Sequence, residues 1–229
     1  MDDLSGWVPR ARPQRVVLEG RLVRLEPLGA ARHGDDLYEA AVAGDAAQRF
    51  LWLPETVPTD RAEFQPWLDR AEASEDPLFS AVIDRQTGKA VGRQTLMRID
   101  GANGVVETGN IHWGPAMQRS ALSSEALYLH ARHVFDDLGY RRFEWKCNNH
   151  NEPSKRAAER FGFAFEGVFR QHMIVKGKNR DTAWFSMIDR DWPLIRQAFE
   201  AWLDPANFDQ AGKQISRLEA IRASLAAKG

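Results

Sequence analysis

The chain has 229 residues, with 31 Lys+Arg against 32 Asp+Glu and a formal net charge of −1. That length suits one well-packed domain with a helical extension. The charge balance supplies no global field for nucleic acid or an anionic membrane. No apolar run approaches the ~18 residues that span a bilayer, and Met1-Asp-Asp-Leu-Ser has no basic-then-apolar leader, so a cytoplasmic protein is expected. One cysteine, Cys147, excludes an intramolecular disulfide and a cysteine-rich zinc site, and no metal is expected.

Residues 1–15, with Pro9 and Pro13 among arginines, read as a flexible arm. Arg15 to Pro27 mixes alternation with short apolar runs and predicts a first strand or hairpin. Asp35 to Ala47 has a helix former's composition, broken by Arg49-Phe-Leu-Trp-Leu-Pro54. Thr59 to Ala73 resumes helically, with Phe64, Trp67, Leu68 and Ala71 at three- and four-residue spacing. Leu78 to Ile83 and Ala90 to Ile99 flank a glycine-bearing turn and predict a hairpin. Val105 to Trp113 follows as a strand after the Asp100–Gly104 turn.

A helix begins after Gly114-Pro115, near Ser120, with Leu127, Ala131, Val134 and Leu138 on one face and Gly139 as its stop. Arg141 to Cys147 alternates as a strand. The next helix has Pro153 in its first turn and Gly162 at its end. Phe165 to Val175 and Asp181 to Ile188 predict two more strands, and Trp192 to Trp202 and Gln214 to Leu225 two terminal helices. Strands and helices intersperse without strict alternation, which argues for a mixed sheet rather than a doubly wound one.

An ordered set of residues carries a resemblance: Gln118-Arg-Ser-Ala121-Leu-Ser123, Glu125-Ala126, Asn151-x-x-Ser154 and Arg160-Phe-Gly-Phe163-x-x-Glu166-Gly167. Together they resemble the acetyl-CoA-binding core of the GNAT superfamily of N-acetyltransferases, and most closely its RimJ/RimL branch, over roughly residues 19–192. The resemblance implies an α+β fold of three α/β/α layers. Its mixed, mostly antiparallel sheet would be splayed at the strands around 105–113 and 141–147, with flanking helices. The domain would run over 16–193, and 194–229 would form a helical extension packed on it or at a homodimer interface. The implied activity is acetyl transfer from acetyl-CoA, by direct attack of a primary amine. That amine is either a protein N-terminal α-amine or a small molecule.

Site residues follow from the same match. A helix start carries unpaired N–H groups and the positive end of the helix dipole, a seat for pyrophosphate. Gln118, Arg119, Ser120, Ala121, Leu122, Ser123 and Ser124 are therefore the expected phosphate turn. Asn151 is expected to bond the pantetheine arm, or else to cap the helix that holds Ser154. Ser154 is the candidate proton donor to the departing thiolate, with a purely local hydrogen-bonding role as the alternative. Glu107 and His112 are the candidate bases. They lie five apart, so a regular strand would turn them to opposite faces unless a bulge intervenes. The segment Phe50-Leu-Trp52-Leu-Pro54 suggests an aromatic, little-charged wall suited to an uncharged or peptide-like acceptor.

Two departures stand out. The family's phosphate turn usually has glycines where this chain has Ala121 and Ser123, and many members have a tyrosine where it has Ala158. They motivate a second reading, a CoA-binding sensor or interaction protein with weakened or absent catalysis.

Overall fold

The computed structural model describes residues 3–228. One eight-stranded sheet organises the chain, with strand order β1-β2-β3-β4-β5-β6-β8-β7. The strands are β1 (Leu18–Glu19), β2 (Val23–Pro27), β3 (Leu78–Asp84), β4 (Ala90–Asp100), β5 (Val105–Trp113), β6 (Arg142–Asn148), β7 (Ala164–Val175) and β8 (Lys178–Ile188). Every neighbouring pair is antiparallel except β5 and β6. That parallel pair needs a crossover, and helix α4 (Ala121–Arg132) with a π-helical continuation over His133–Asp137 supplies it.

The other helices are α1 (Ala30–Val42), α2 (Ala46–Phe50), α3 (Arg61–Ala73), α5 (Glu152–Phe161), α6 (Trp192–Leu203) and α7 (Leu218–Ala226). Alternation along β3 sorts them into layers. Phe79, Ala81 and Ile83 pack with Leu37, Phe64 and Leu68 of α1 and α3. Val82, between them, packs with Ala126 and Leu129 of α4 on the other face. A larger core on that second face gathers α4, α5, α6 and α7 around Phe143, Trp145, Phe185 and Met187. This is the three-layer, mostly antiparallel arrangement expected from the sequence.

Glu125, on α4, ties the layers together. Its buried carboxylate accepts from the backbone N–H groups of Arg21 (3.0 Å), Leu22 (2.6 Å) and Val23 (2.7 Å). Gly20 is required beside it, because a Cβ there would meet Glu125 Oε2 at 2.6 Å. The helix start is thereby fixed against the β1–β2 hairpin.

Three segments depart from the sequence expectations. Helix α1 begins at Ala30, and the alanine-rich run ends at Gly44, whose φ of 55° stops it before α2. Residues 3–15, expected to be a flexible arm, have no regular structure yet are tied down: Arg10 bonds Gly101 O and Gly139 O, and Trp7 Nε1 bonds Ala102 O. The last helix starts at Leu218 rather than Gln214, because Gln214 to Ser216 are engaged by Trp202 and Asn207. Among the described residues, no helix is long and apolar enough to cross a membrane.

Candidate active site

β5 and β6 pair from Val105↔Arg142 to Thr108↔Trp145 and then part. The cause is local. Gly109 and His112 of β5 face Thr95 and Arg93 of β4, so β5 carries one extra residue, and Asn110 takes a φ of 46° to accommodate it. Such a bulge bends its strand and ends regular pairing. Thr95 Oγ1 donates to Gly109 O (2.9 Å) and an Arg93 guanidinium nitrogen to Asn110 O (3.1 Å), so the bend is held from the β4 side. β6 stays paired with β8 as far as Asn148. The edges of β5 beyond Thr108 and of β6 beyond Trp145 therefore border an open slot.

At one end of the slot lies a groove built on the start of α4. Arg119, in the left-handed region at φ 54°, turns the chain into the helix. Ser120 is the N-cap residue, but its hydroxyl donates to Met117 O (3.1 Å) and does not cap, which leaves the first N–H groups of α4 without a side-chain partner. Gln118, Arg119, Ser120, Ala121 and Ser123 line the groove, while Leu122 packs on the core around Val23 and Leu25. Ser124 is fully buried and accepts from Arg160 (3.0 Å). Opposite the turn stand Arg156 and Arg160 of α5, and Trp202, Phe208 and Lys213 of the C-terminal segment. Four cations and no carboxylate line this groove. Lys155, on the same helix, pairs instead with Glu152 (2.6 Å).

Helix α5 starts between the groove and a second chamber. Asn151 Oδ1 accepts from Ser154 N (3.2 Å), so the capping role is realised, and Asn151 also lines the second chamber. Gly162 ends the helix at φ 99°. Ser154 Oγ accepts from Trp145 Nε1 (3.0 Å). That bond uses a lone pair and leaves the hydroxyl proton to be donated, with the neighbouring Cys147 sulfur as an acceptor within reach; both residues lie on the chamber wall. Ala158 is fully buried within the main core and so does not reach the chamber.

Residues 23–164 match the family model for the GNAT acetyltransferase domain. The chain belongs to the GNAT acetyltransferase family. A crystal structure of a GCN5-related N-acetyltransferase from Brucella melitensis is 60% identical, with a TM-score of 0.95, covering 96% of this chain and 100% of that one. Among curated relatives, the uncharacterized N-acetyltransferase p20 of Bacillus licheniformis is 28% identical over 49% of this chain and 62% of its own length. The putative ribosomal N-acetyltransferase YdaF of Bacillus subtilis is 26% identical over 46% of this chain and 57% of its own. The chain thus spans about six tenths of those two relatives. Their names agree with the RimJ/RimL-like resemblance.

The second chamber opens at the other end of the slot. Met97, Arg98, Glu107, Gly109, Lys146 and Arg180 line its floor, and Arg49, Trp52, Leu53 and Pro54 its roof. Lys176, in the β7–β8 turn, donates to Phe50 O (2.9 Å) and joins the two lips of the roof. The bulge brings the two candidate bases to one face, because Glu107 and His112 lie opposite Met97 and Arg93, both on the same side of β4. Their surroundings differ. Glu107 lines the chamber and accepts from Arg98 (2.6 Å) and Lys146 (2.9 Å). Lys146 also reaches Glu144 (2.6 Å) and sits 3.7 Å from the centre of the Trp184 ring.

His112 is not brought to the chamber. It packs on Phe50 with ring centroids 4.8 Å apart, its Nε2 lacks a partner, and burial, aided by Arg93 and Arg49, pushes its pKa down to about 3. At neutral pH it is uncharged and a weak base.

The sequence reading passed over several groups in this chamber. Trp145 is the donor that orients Ser154. Asp181 pins the β7–β8 hairpin, accepting from Gln171 N (2.8 Å) and Asn179 (2.9 Å). Its neighbour Arg180 is a chamber residue. Arg49, Arg98 and Arg180 overturn the expectation of a little-charged wall. They come from three distant segments, and only their placement in the folded sheet unites them.

Proposed function

We propose that the protein is an acetyl-CoA-dependent N-acetyltransferase in which a primary amine, of a protein N terminus or a small molecule, attacks the thioester directly. The observation that carries this reading is the arrangement of a cationic groove and a chamber on either side of the parting β5 and β6 strands, with Ser154 on the chamber wall. The groove suits the donor's phosphates: helix-start N–H groups, Arg119, Arg156, Arg160 and Lys213 offer complementary charge and many donors, and no acid lines it. Ala121 and Ser123 stand where glycines are usual, and both line the groove wall without closing it. The slot presents unpaired strand edges to the amides of the pantetheine arm.

The reaction places few demands on side chains. The acetyl donor supplies an activated carbonyl and a thiolate leaving group. Positioning does most of the work, because holding amine and carbonyl in register removes the entropic part of the barrier. The amine nitrogen forms the new C–N bond as the C–S bond breaks and its electron pair leaves with sulfur. Ser154 donates a hydrogen bond to that sulfur, any proton it passes on being replaced from the chamber's solvent, and Trp145 fixes the hydroxyl's orientation. The proton lost by the amine passes to solvent through the chamber, with Glu107 the one carboxylate on its wall.

Calorimetric titration with acetyl-CoA and CoA tests the reading. Micromolar-class binding, about −8 kcal/mol, weakened at least tenfold by Arg119→Ala combined with Arg156→Ala, is expected. No binding at millimolar ligand overturns it. Tight binding with no transfer to any amine of a broad panel would favour the non-catalytic CoA-binding protein instead.

A further inference from the structure

The acceptor chamber holds a cation that the reaction outlined above does not use. Arg180 extends from β8 into the chamber, half-buried. Its Nε is fully buried without a hydrogen-bond partner, and among the described residues no carboxylate or carbonyl pairs with its guanidinium. Burial depresses its pKa against the opposing influence of Cys147 and Glu107. A partly desolvated guanidinium with no partner is costly unless an anion fills the place.

The neighbouring charges leave that place open. Four cations, Arg49, Arg98, Lys146 and Arg180, line the chamber against the single acid Glu107. Glu107 is already shared by Arg98 and Lys146, and Lys146 is further held by Glu144. Asp181, next to Arg180 in sequence, is committed to Gln171 and Asn179. Arg49 spends one guanidinium nitrogen on the carbonyls of Ala40, Ala41 and Ala43, while its Nε also lacks a partner. The chamber therefore carries uncompensated positive charge just where the acceptor must sit.

Resting on the acetyltransferase reading, we infer that the acceptor is an amine bearing a carboxylate or phosphate a few bonds from its nitrogen, and that Arg180 binds that anion. The planar guanidinium fork matches both groups in a bidentate manner. The arrangement has a second effect. Surrounding cations favour loss of the ammonium proton, so the amine arrives closer to its nucleophilic form without a dedicated base. Polycationic amines such as spermidine are repelled.

The test is a matched acceptor panel with acetyl-CoA: the common α-amino acids against their carboxamides, O-phosphoethanolamine against ethanolamine, Asp- and Ala-initiated peptide amides, and spermidine. The first two comparisons separate carboxylate from phosphate, and the peptides separate a free amino acid from a protein N terminus. At least one anionic amine should exceed its neutral match tenfold or more in kcat/KM. Arg180→Met should abolish that preference chiefly through KM, Arg180→Lys should restore part of it, and neither should alter acetyl-CoA affinity. Preference of the wild type for neutral or polycationic amines, an unchanged preference in Arg180→Met, or turnover of none of the anionic amines overturns the inference. Failure of the wild type to bind acetyl-CoA overturns the acetyltransferase reading itself, so the two failures are distinguishable.

Discussion

Replacing Ser154 by alanine separates the two tasks its hydroxyl can have. As an acceptor, Oγ satisfies the indole N–H of Trp145 at 3.0 Å. Removing it leaves that buried donor orphaned, a cost of about 1–3 kcal/mol in stability. As a donor, the hydroxyl assists the departing thiolate. A thiol of pKa ~8.5 is about 1.5 units above pH 7, so proton donation gains at most about 2 kcal/mol, or roughly thirtyfold in rate. Ser154→Ala should therefore lower kcat by about ten- to thirtyfold, with acetyl-CoA affinity nearly unchanged, in a continuous assay of thiol release with an accepted amine. Two further measurements isolate the donor role. In a Trp145→Phe background the stability cost of Ser154→Ala should vanish while the kcat loss persists. With an acetyl thioester whose thiol is more acidic, the kcat loss should shrink, because a better leaving group needs less help. A kcat within twofold of wild type would refute proton donation and leave Ser154 as a structural acceptor. So would a defect indifferent to the leaving group.

Further expectations concern stability. Glu125→Ala strands three backbone N–H groups and should cost about 3–5 kcal/mol. With an m-value of about 3 kcal/mol/M, the urea midpoint should drop by about 1 M or more, and a drop below about 0.3 M would be incompatible with this account. His112 and His130 are both buried, and burial takes each from 6.5 to about 3. The unfolded chain protonates them near 6.5 while the folded chain does not, so their contribution is intact above that pH and is lost as pH falls toward 3. Each removes about 1.4 kcal/mol per pH unit well inside that window. Denaturant titrations between pH 6.5 and 4.5 should show His130→Gln flattening the slope by about half of the pair's share, and an unaltered slope would count against a neutral, buried His130.

Much of the scaffold was readable because local chemistry repeats there. Pro153 and Gly162 bound α5, alternation marked β6, and apolar spacing marked α4. The site was readable only in part. The bulge in β5 had a local sign, since Gly109-Asn110 is a pair that tolerates left-handed backbone, yet only pairing with β4 reveals the extra residue. The acceptor wall was misread for a different reason. Residues 50–54 are indeed aromatic and apolar, but the wall's charge comes from Arg49, Arg98 and Arg180. No window of sequence contains all three, and strand order β4-β5-β6-β8 is what gathers two of them around the slot.

The C-terminal segment packs on the helix that carries Arg160 of the groove, which predicts a link between stability and cofactor affinity. Arg222 of α7 donates to the carbonyls of Arg160 (2.9 Å) and Glu159 (3.0 Å), satisfying the free end of α5. Trp202 of α6 lies over the Arg160 guanidinium at 4.9 Å, and Leu218 anchors α7 by complete burial. Arg160 is thus held at its backbone by one element of the extension and at its charge by another, while Ser124 receives its remaining bond from the side of the groove. If this clamp sets the groove's geometry, Arg222→Ala should weaken acetyl-CoA binding about three- to tenfold although Arg222 itself does not line the groove. Thermal unfolding and calorimetry on the same variant decide the point. A lower melting temperature with unchanged affinity would make the extension a stabilising cover. Loss of affinity at temperatures where the fold is intact would make it a working part of the cofactor site.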